Sequence, residues 1–116
     1  MPIYLQILRY IKRGIVAGVI QNGDELPSRR VLSSLLGVNP NTVQKAYRVL
    51  EEEALIQSHA GARSYMVLDA QATGRIRAEL LESDVRALIQ AMRQMGVEKQ
   101  DALALVEKLW EQGGAV

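Results

Sequence analysis

The segment Asn39–Arg48, NPNTVQKAYR, combines amide and cationic side chains at a spacing that places them on one side of a helix. Amides bind adenine edges through paired hydrogen bonds, and Lys and Arg suit guanine or phosphate. Unpaired backbone N–H groups at the start of a helix also attract phosphate. These residue types therefore predict a helix that binds DNA, and the alternative is an ordinary solvated helix face. The side chains concerned are Asn41, Thr42, Gln44, Lys45 and Arg48.

Neither a catalytic site nor a metal site is expected from the residue types present. The chain has no cysteine, which excludes disulfides, thiolate ligands and a cysteine nucleophile. Its single histidine, His59, has no carboxylate cluster beside it and cannot form a common zinc site. The glutamates at 51–53 project around a helix instead of converging, and no glycine-rich phosphate loop or nucleophile elbow is found. We therefore expect no enzyme activity, no cofactor and no metal.

Charge is unevenly distributed although the net charge is only +1. Residues 1–50 carry seven basic and two acidic side chains, whereas residues 69–116 carry six basic and eight acidic ones. This asymmetry suggests a part that binds a polyanion joined to a different part, within a length of one domain or one domain with an appendage. Charges interrupt the apolar residues at the start, and no apolar run could span a bilayer. We expect a cytoplasmic protein that does not contact membranes.

The first half of the chain predicts two helices before the polar segment. Isoleucines at every fourth position from Ile3 to Ile15 indicate a first helix that ends at Gly18, and an extended piece around Leu26 follows. Ser28 is expected to cap a second helix, about Arg29 to Leu35. Arg29 and Arg30 oppose the helix dipole there, which indicates either a phosphate partner or simple surface arginines. The residues that this helix is expected to bury are Val31, Leu32 and Leu35.

A third helix and a hairpin complete a winged helix-turn-helix pattern. Asn39 is a good N-cap and Pro40 is favoured in the first helical position, so the polar segment begins a helix. A tight turn containing Gly37 joins it to the second helix. Two strand-like segments follow, joined through residues 60–62, and the Leu26 segment is expected to pair with them as a third strand. The apolar face of the third helix consists of Val43, Ala46, Tyr47 and Leu50.

The remaining residues predict two more helices. From about Ala70, apolar residues three to five positions apart indicate a long amphipathic helix that ends at Gly96, and a last helix follows. Two helices alone bury little surface, so we expect them to dimerise; the alternative is that both pack on the winged domain. We therefore predict a DNA-binding domain at residues 1–68 and a dimerisation region at 69–116. The expected interface residues are Ile76, Leu80, Val85, Leu88, Met92, Met95, Leu103, Val106, Leu109 and Trp110.

Three ordered stretches of the sequence carry a resemblance to a known family. PIYLQI at the start, GDELPSRRVLSSLLGVNPNTVQKAY in the middle and LEEEALI before the wing resemble the N-terminal domain of the GntR family of bacterial transcription regulators. The resemblance covers residues 2–67 almost without gaps. The short tail resembles that of the YtrA subfamily, in which the tail mediates dimerisation and a large effector-binding domain is lacking. Members of this group commonly repress operons for ABC transporters, so the resemblance implies that type of regulated operon.

The resemblance also implies roles for individual residues. Arg30 matches the arginine of the family's PSxR motif, which contacts the DNA backbone or bases, and Asn39–Gln44 match the start of the recognition helix. Gly61 matches the wing glycine that enters the minor groove, and Arg63 is the only cation of this wing. Ala54 departs from the family, which usually has glycine there. The candidate DNA-binding residues are Ser28, Arg29, Arg30, Asn39, Asn41, Thr42, Gln44, Lys45, Arg48, Gly61 and Arg63.

We therefore expect a homodimeric winged helix-turn-helix repressor that binds a palindromic operator in double-stranded DNA. The alternative is a winged-helix module that uses the same helix face for protein contacts, without DNA specificity. Salt distinguishes the two, because phosphate neutralisation makes affinity fall steeply as salt rises. Without a large effector domain, a small-molecule effector would have to bind at the dimer interface or at the junction between the two regions.

Overall fold

A computed structural model describes residues 1–59 and 63–113 of the chain, which separates into two compact units, Met1–Leu80 and Leu81–Val116. The described residues form five helices and a small antiparallel sheet, and the predicted class of a mainly helical protein with a hairpin wing is confirmed. In chain order the elements are α1 (Ile3–Val16), β1 (Glu25–Leu26), α2 (Arg29–Leu36), α3 (Pro40–Glu52), β2 (Ile56–His59), β3 (Arg63–Met66), α4 (Ala70–Gln94) and α5 (Lys99–Glu111).

The helix α1 anchors the first unit through one apolar side. Four of its side chains are buried in the core: Ile7, Leu8, Ile11 and Ile15. Ile3, the first member of the predicted stripe, is instead 52% exposed. The helix ends at Val16, and Gly18 follows with a φ of 78°, a left-handed conformation that glycine adopts without strain.

The helix α2 is held less firmly than the sequence predicts. Its bounds agree with the expected helix to within one residue, and it ends at Gly37 with a φ of 67°. Val31 and Leu35 are exposed rather than buried, so the prediction for these two residues is wrong. The buried residue is Ser33, whose hydroxyl donates to the Arg30 carbonyl oxygen at 2.9 Å. Of the three leucines, Leu32 is half-buried and packs against the core, whereas Leu35 and Leu36 are exposed.

Three short strands form the sheet in the order β1–β3–β2. The strands β2 and β3 form the predicted hairpin, with Ile56 opposite Met66. On the other side of β3, Leu26 of β1 lies opposite Ser64, so the expected third strand is confirmed. The connection at residues 60–62, which includes the predicted wing glycine Gly61, lies outside the described residues.

The core of the first unit is aliphatic and includes the beginning of α4. Ala72 and Ile76, one helical turn apart, pack into this core, and Leu80 packs against it, so the unit extends past the expected junction at residues 69–72. Ile76 is only 1% exposed and has no surface left for a partner subunit, so its assignment to a dimer interface is wrong. The largest fully buried side chains are Tyr47, Leu50, Leu55, Met66, Ile76 and Val43.

The second unit has no comparable core. None of its described residues, from 81 to 113, is buried. The end of α4, the turn after it and α5 instead expose large apolar side chains to solvent: Leu81, Val85, Leu88, Ile89, Met95, Leu103, Leu105, Val106, Leu109 and Trp110.

Ala54 adopts a left-handed conformation at the end of α3, with a φ of 59°, and is the one described non-glycine residue with positive φ. The next residue, Leu55, donates its N–H to the Leu50 carbonyl oxygen at 2.9 Å, which closes the helix as a left-handed cap does. An L-residue with a Cβ is strained in this region by roughly 1 kcal/mol or more. The chain therefore holds alanine at a position whose geometry favours glycine.

Replacing Ala54 with glycine is expected to raise the free energy of unfolding by about 1 kcal/mol, because the Cβ strain disappears. Ala78 is the matched control, since it is exposed on the right-handed helix α4. Ala78→Gly is expected to lower the free energy of unfolding by about 0.5–1 kcal/mol. Urea unfolding of both variants measures the two effects, and a loss of stability in Ala54→Gly would contradict the strain.

Candidate nucleic-acid interface

The N-terminal end of α3 is closed by its own cap. Asn39 Oδ1 accepts a hydrogen bond from the Asn41 backbone N–H at 2.7 Å, and the Thr42 N–H donates to the Asn39 carbonyl oxygen at 2.9 Å. Pro40 at the first helical position has no N–H to offer. The expectation of unpaired N–H groups in this turn is therefore wrong, and phosphate attraction here depends on the helix dipole and the side chains.

The polar side of α3 faces solvent because its opposite side is completely buried. Val43, Ala46, Tyr47 and Leu50 are at most 1% exposed. On the opposite side, Thr42 and Gln44 are half-buried. The exposed members are Asn41, Lys45 and Arg48. The helix is thus fixed to the domain along one face and presents the predicted DNA-reading residues along the other.

An aromatic ring supports Lys45, the cation in the middle of this face. The Lys45 Nζ lies 4.2 Å from the centroid of the Tyr4 ring at the start of α1. A cation over a tyrosine ring is attracted to its negative face, which restricts the otherwise flexible lysine chain. Tyr4 is therefore a positioning residue for Lys45, and no sequence signal indicates this because the two residues are 41 positions apart.

The start of α2 is joined to α3 through Tyr47. The Tyr47 hydroxyl donates to the Pro27 carbonyl oxygen at 2.7 Å, and the Arg29 guanidinium lies 5.1 Å from the centroid of the same ring. Arg29 is half-buried, and its Nε is buried without a hydrogen-bond partner. Arg29 therefore takes part in this joint, a packing role that the sequence does not predict.

Two other predicted contacts lie at the same helix start. Ser28 caps α2, because its Oγ accepts a hydrogen bond from the Val31 N–H at 3.1 Å, and its hydroxyl proton remains available as a donor. Arg30 is exposed beside it. The structure thus brings Ser28 and Arg30 to the end of α2 that Tyr47 ties to α3.

The acidic residues at the end of α3 have structural partners. Glu53 accepts hydrogen bonds from Lys12 Nζ at 2.9 and 3.2 Å, which ties the helix end to α1. Glu51 accepts from the Ser58 hydroxyl at 3.0 Å and so contacts the wing. The carboxylates therefore fix the far end of α3, and the cations and amides occupy its remaining exposed length.

The described part of the wing carries one cation, Arg63, at its outer end. Arg63 is exposed and pairs across the hairpin with His59. A hydrogen bond with the Tyr65 side chain and the nearby Glu25 carboxylate raise the pKa of Arg63, so it stays charged. The His59 ring contacts the Tyr65 ring edge-on at a centroid distance of 5.2 Å. Within the described residues, no cluster of His, Asp and Glu could hold a metal ion.

An exposed polar helix on a helix-turn-helix, followed by a hairpin with an outer arginine, defines the class of winged helix-turn-helix DNA-binding proteins. The family model described as "Bacterial regulatory proteins, gntR family" matches residues 3–66, and the chain belongs to this family. It is accordingly a DNA-binding transcription regulator and not an enzyme. No described helix is both long and apolar enough to cross a membrane.

Individual relatives cover between 77% and 95% of the chain. The HTH-type transcriptional repressor YtrA of Bacillus subtilis (strain 168) is 34% identical over 110 residues, which are 95% of this chain and 80% of that protein. A GntR family transcriptional regulator from Listeria monocytogenes has a TM-score of 0.79 at 35% identity, covering 93% of this chain and 95% of that one. YtrA from Sulfolobus acidocaldarius, a GntR-family transcription factor, has a TM-score of 0.57 at 38% identity over 77% and 88% of the chains.

The Tyr47 joint generates a prediction for alkaline pH. Burial raises the pKa of Tyr47 to about 12, above its ordinary value of 10.0, and the Arg29 charge opposes this shift. The folded state therefore holds this proton more tightly than the unfolded state, so its stabilising effect is complete below pH 10 and is lost as the pH rises towards 12.

In Tyr47→Phe this part of the alkaline loss is expected to be absent, while the variant loses about 1 kcal/mol at neutral pH with the hydrogen bond to Pro27. Urea unfolding at a series of pH values measures both effects. Parallel stability curves for the two proteins above pH 10 would contradict the role of Tyr47.

Proposed function

We propose that the chain is a homodimeric repressor that binds a palindromic operator. The observation that carries this proposal is the exposed polar side of α3, which is held outward by a fully buried opposite side. Lys45, Arg30 and Arg63 would contact phosphates or the minor groove and set the register of the protein on DNA. Asn41, Thr42 and Gln44 would discriminate sequence, because amide and hydroxyl groups read base edges.

The apolar surface of the second unit supports self-association. Along α4 and at the residue that follows it, residues 81, 85, 88, 92 and 95 are all apolar and alternate four and three positions apart, the spacing of a helix–helix seam. No described residue of this unit is buried, so the unit by itself does not cover these side chains. A second copy offers the same surface, and a two-fold dimer buries both. Of the predicted interface residues, Val85, Leu88, Met95, Leu103, Val106, Leu109 and Trp110 are exposed as this requires.

A dimer of this kind determines the form of the operator. Two-fold symmetry presents two α3 helices to successive major grooves, so half-sites about 34 Å apart are expected. Repression is proposed because the Bacillus subtilis relative, at 34% identity, is a repressor. A transporter operon is proposed as the target from the resemblance to the YtrA group.

Selection of genomic fragments by the purified protein, followed by footprinting, tests this proposal. The expected result is one or a few enriched fragments with a two-fold symmetric footprint, upstream of genes whose transcription rises when the regulator is removed. Equal recovery of unrelated fragments would contradict a sequence-specific operator. Affinity that does not change with salt would favour the alternative of a protein-interaction module.

Two substitutions on α3 separate the recognition of base sequence from the contacts with phosphates. Gln44→Ala is expected to relax specificity at one base step by about 1–3 kcal/mol, while affinity for random duplex stays the same. Lys45→Ala is expected to weaken binding to all sequences alike. It is also expected to reduce the slope of log affinity against log salt concentration by about one unit. Titration of operator and random duplex at several salt concentrations measures both, with Lys108→Ala, exposed on α5, as the control. If both α3 variants bound both duplexes as the wild type does, the role of this face would be refuted.

Substitution of the tail tests dimerisation directly. Leu88→Glu is expected to convert dimers to monomers at micromolar concentration, because a charge would be buried without a partner. Val31→Glu is the matched control, since Val31 and Leu88 are both 50% exposed but Val31 lies on α2. Sedimentation velocity measures the masses. A wild-type monomer, or a Leu88→Glu protein that remains dimeric, would argue against this interface.

A further inference from the structure

The first unit contains a cavity of about 480 Å³ between α1, α2 and the segment before α2. This volume is within the range of about 300–1,000 Å³ found for small-molecule sites. The cavity lies wholly inside the DNA-binding unit, which is neither the dimer interface nor the junction where the sequence places an effector. Its wall includes Ile7, Ile11, Leu26, Leu32 and Val38.

The lining determines what kind of molecule fits. None of the described residues around the cavity is charged, and the polar side chains there are Gln6 and the tyrosines. A charged ligand would lose its hydration without gaining a partner, so the site favours a neutral molecule. Such a molecule would also shield exposed side chains at the edge of the cavity from water, because Tyr10 is 79% exposed and Leu35 is 74% exposed.

The cavity also touches the joint between the two DNA-binding helices. Tyr47 and Pro27, which share the 2.7 Å hydrogen bond, both line it. The helix α2 is the lightly held wall, because Ser33 is its one buried residue. A molecule that wedges between α1 and α2 would therefore displace the helix that carries Ser28 and Arg30 relative to α3, which is anchored by a fully buried face.

We propose that this cavity binds a neutral, mainly apolar small molecule and that its occupancy lowers the affinity of the protein for DNA. The DNA effect rests on the proposed function, because it requires α2 and α3 to contact the duplex together. Linkage demands the reciprocal effect, so DNA lowers the affinity for the ligand by the same factor.

Isoleucine methyl groups provide an internal map of ligand binding. Four of the eight isoleucines line the cavity, namely Ile3, Ile7, Ile11 and Ile20. Titration of the full chain, ¹³C-labelled at isoleucine δ-methyl groups, with uncharged N-phenyl-1-naphthylamine is expected to shift these four resonances. The resonances of Ile56, Ile76 and Ile89 are expected to stay in place. No shift, or shifts confined to Ile89 on the tail, would overturn the cavity as a site.

A substitution at the cavity edge tests whether ligand binding changes the affinity for DNA. Leu36→Trp is expected to fill the cavity from its rim and abolish the methyl shifts, because Leu36 lines it and is 48% exposed. Val31→Trp, on the same helix and 50% exposed but outside the wall, is the control that retains the shifts. With saturating probe, operator affinity is expected to fall at least about fivefold for the wild type and to stay constant for Leu36→Trp.

Unchanged operator affinity in the probe-bound wild type would overturn the regulatory proposal. So would an equal fall in the Leu36→Trp protein, since the effect would then arise elsewhere. The methyl spectra are recorded without DNA, so they decide whether the cavity binds the probe even if the chain proves to bind no operator. The two proposals therefore fail through different measurements.

Discussion

The burial of one face of α3 is the constraint on which the rest of the structure depends. Val43, Ala46, Tyr47 and Leu50 lie at the centre of the core, so this helix can neither roll nor shift without exposing several apolar side chains at once. Burial of a valine or leucine side chain such as Val43 or Leu50 stabilises the fold by roughly 1.5–3 kcal/mol. The outward direction of the amides and cations is therefore a consequence of core packing. The chain needs no contact on the polar side to hold it there.

Polar contacts add to the constraints that core packing places on the helices. The pair of Lys12 and Glu53 ties the end of α3 to α1, and the Tyr47 hydroxyl ties its middle to Pro27. By contrast, α2 depends on such contacts because it buries so little apolar surface of its own. The two helices of the motif thus differ in rigidity, and the more weakly held helix borders the cavity. This difference is the physical basis on which a bound molecule could act on one helix and spare the other.

The helices and strands of the fold can be predicted from local patterns in the sequence. Caps at Ser28 and Asn39, the ending at Gly37 and the four-residue spacing in α1 are read directly, and the helix bounds agree closely. The prediction that α2 buries Val31 and Leu35 is wrong because apolar periodicity shows which residues share a face but not whether a neighbour covers it. The support of Lys45 by Tyr4 joins residues distant in sequence, so no local pattern contains it. For the same reason Ile76 looks like the exposed residues of its helix until the core position is known.

The chain contains a single tryptophan, Trp110, and it is 81% exposed on α5. Its fluorescence therefore reports the solvent environment of the tail. Emission that shifts to the blue as concentration rises would follow assembly without any label. Because the side chain is already in water in the single chain, circular dichroism is needed to follow unfolding of the helices.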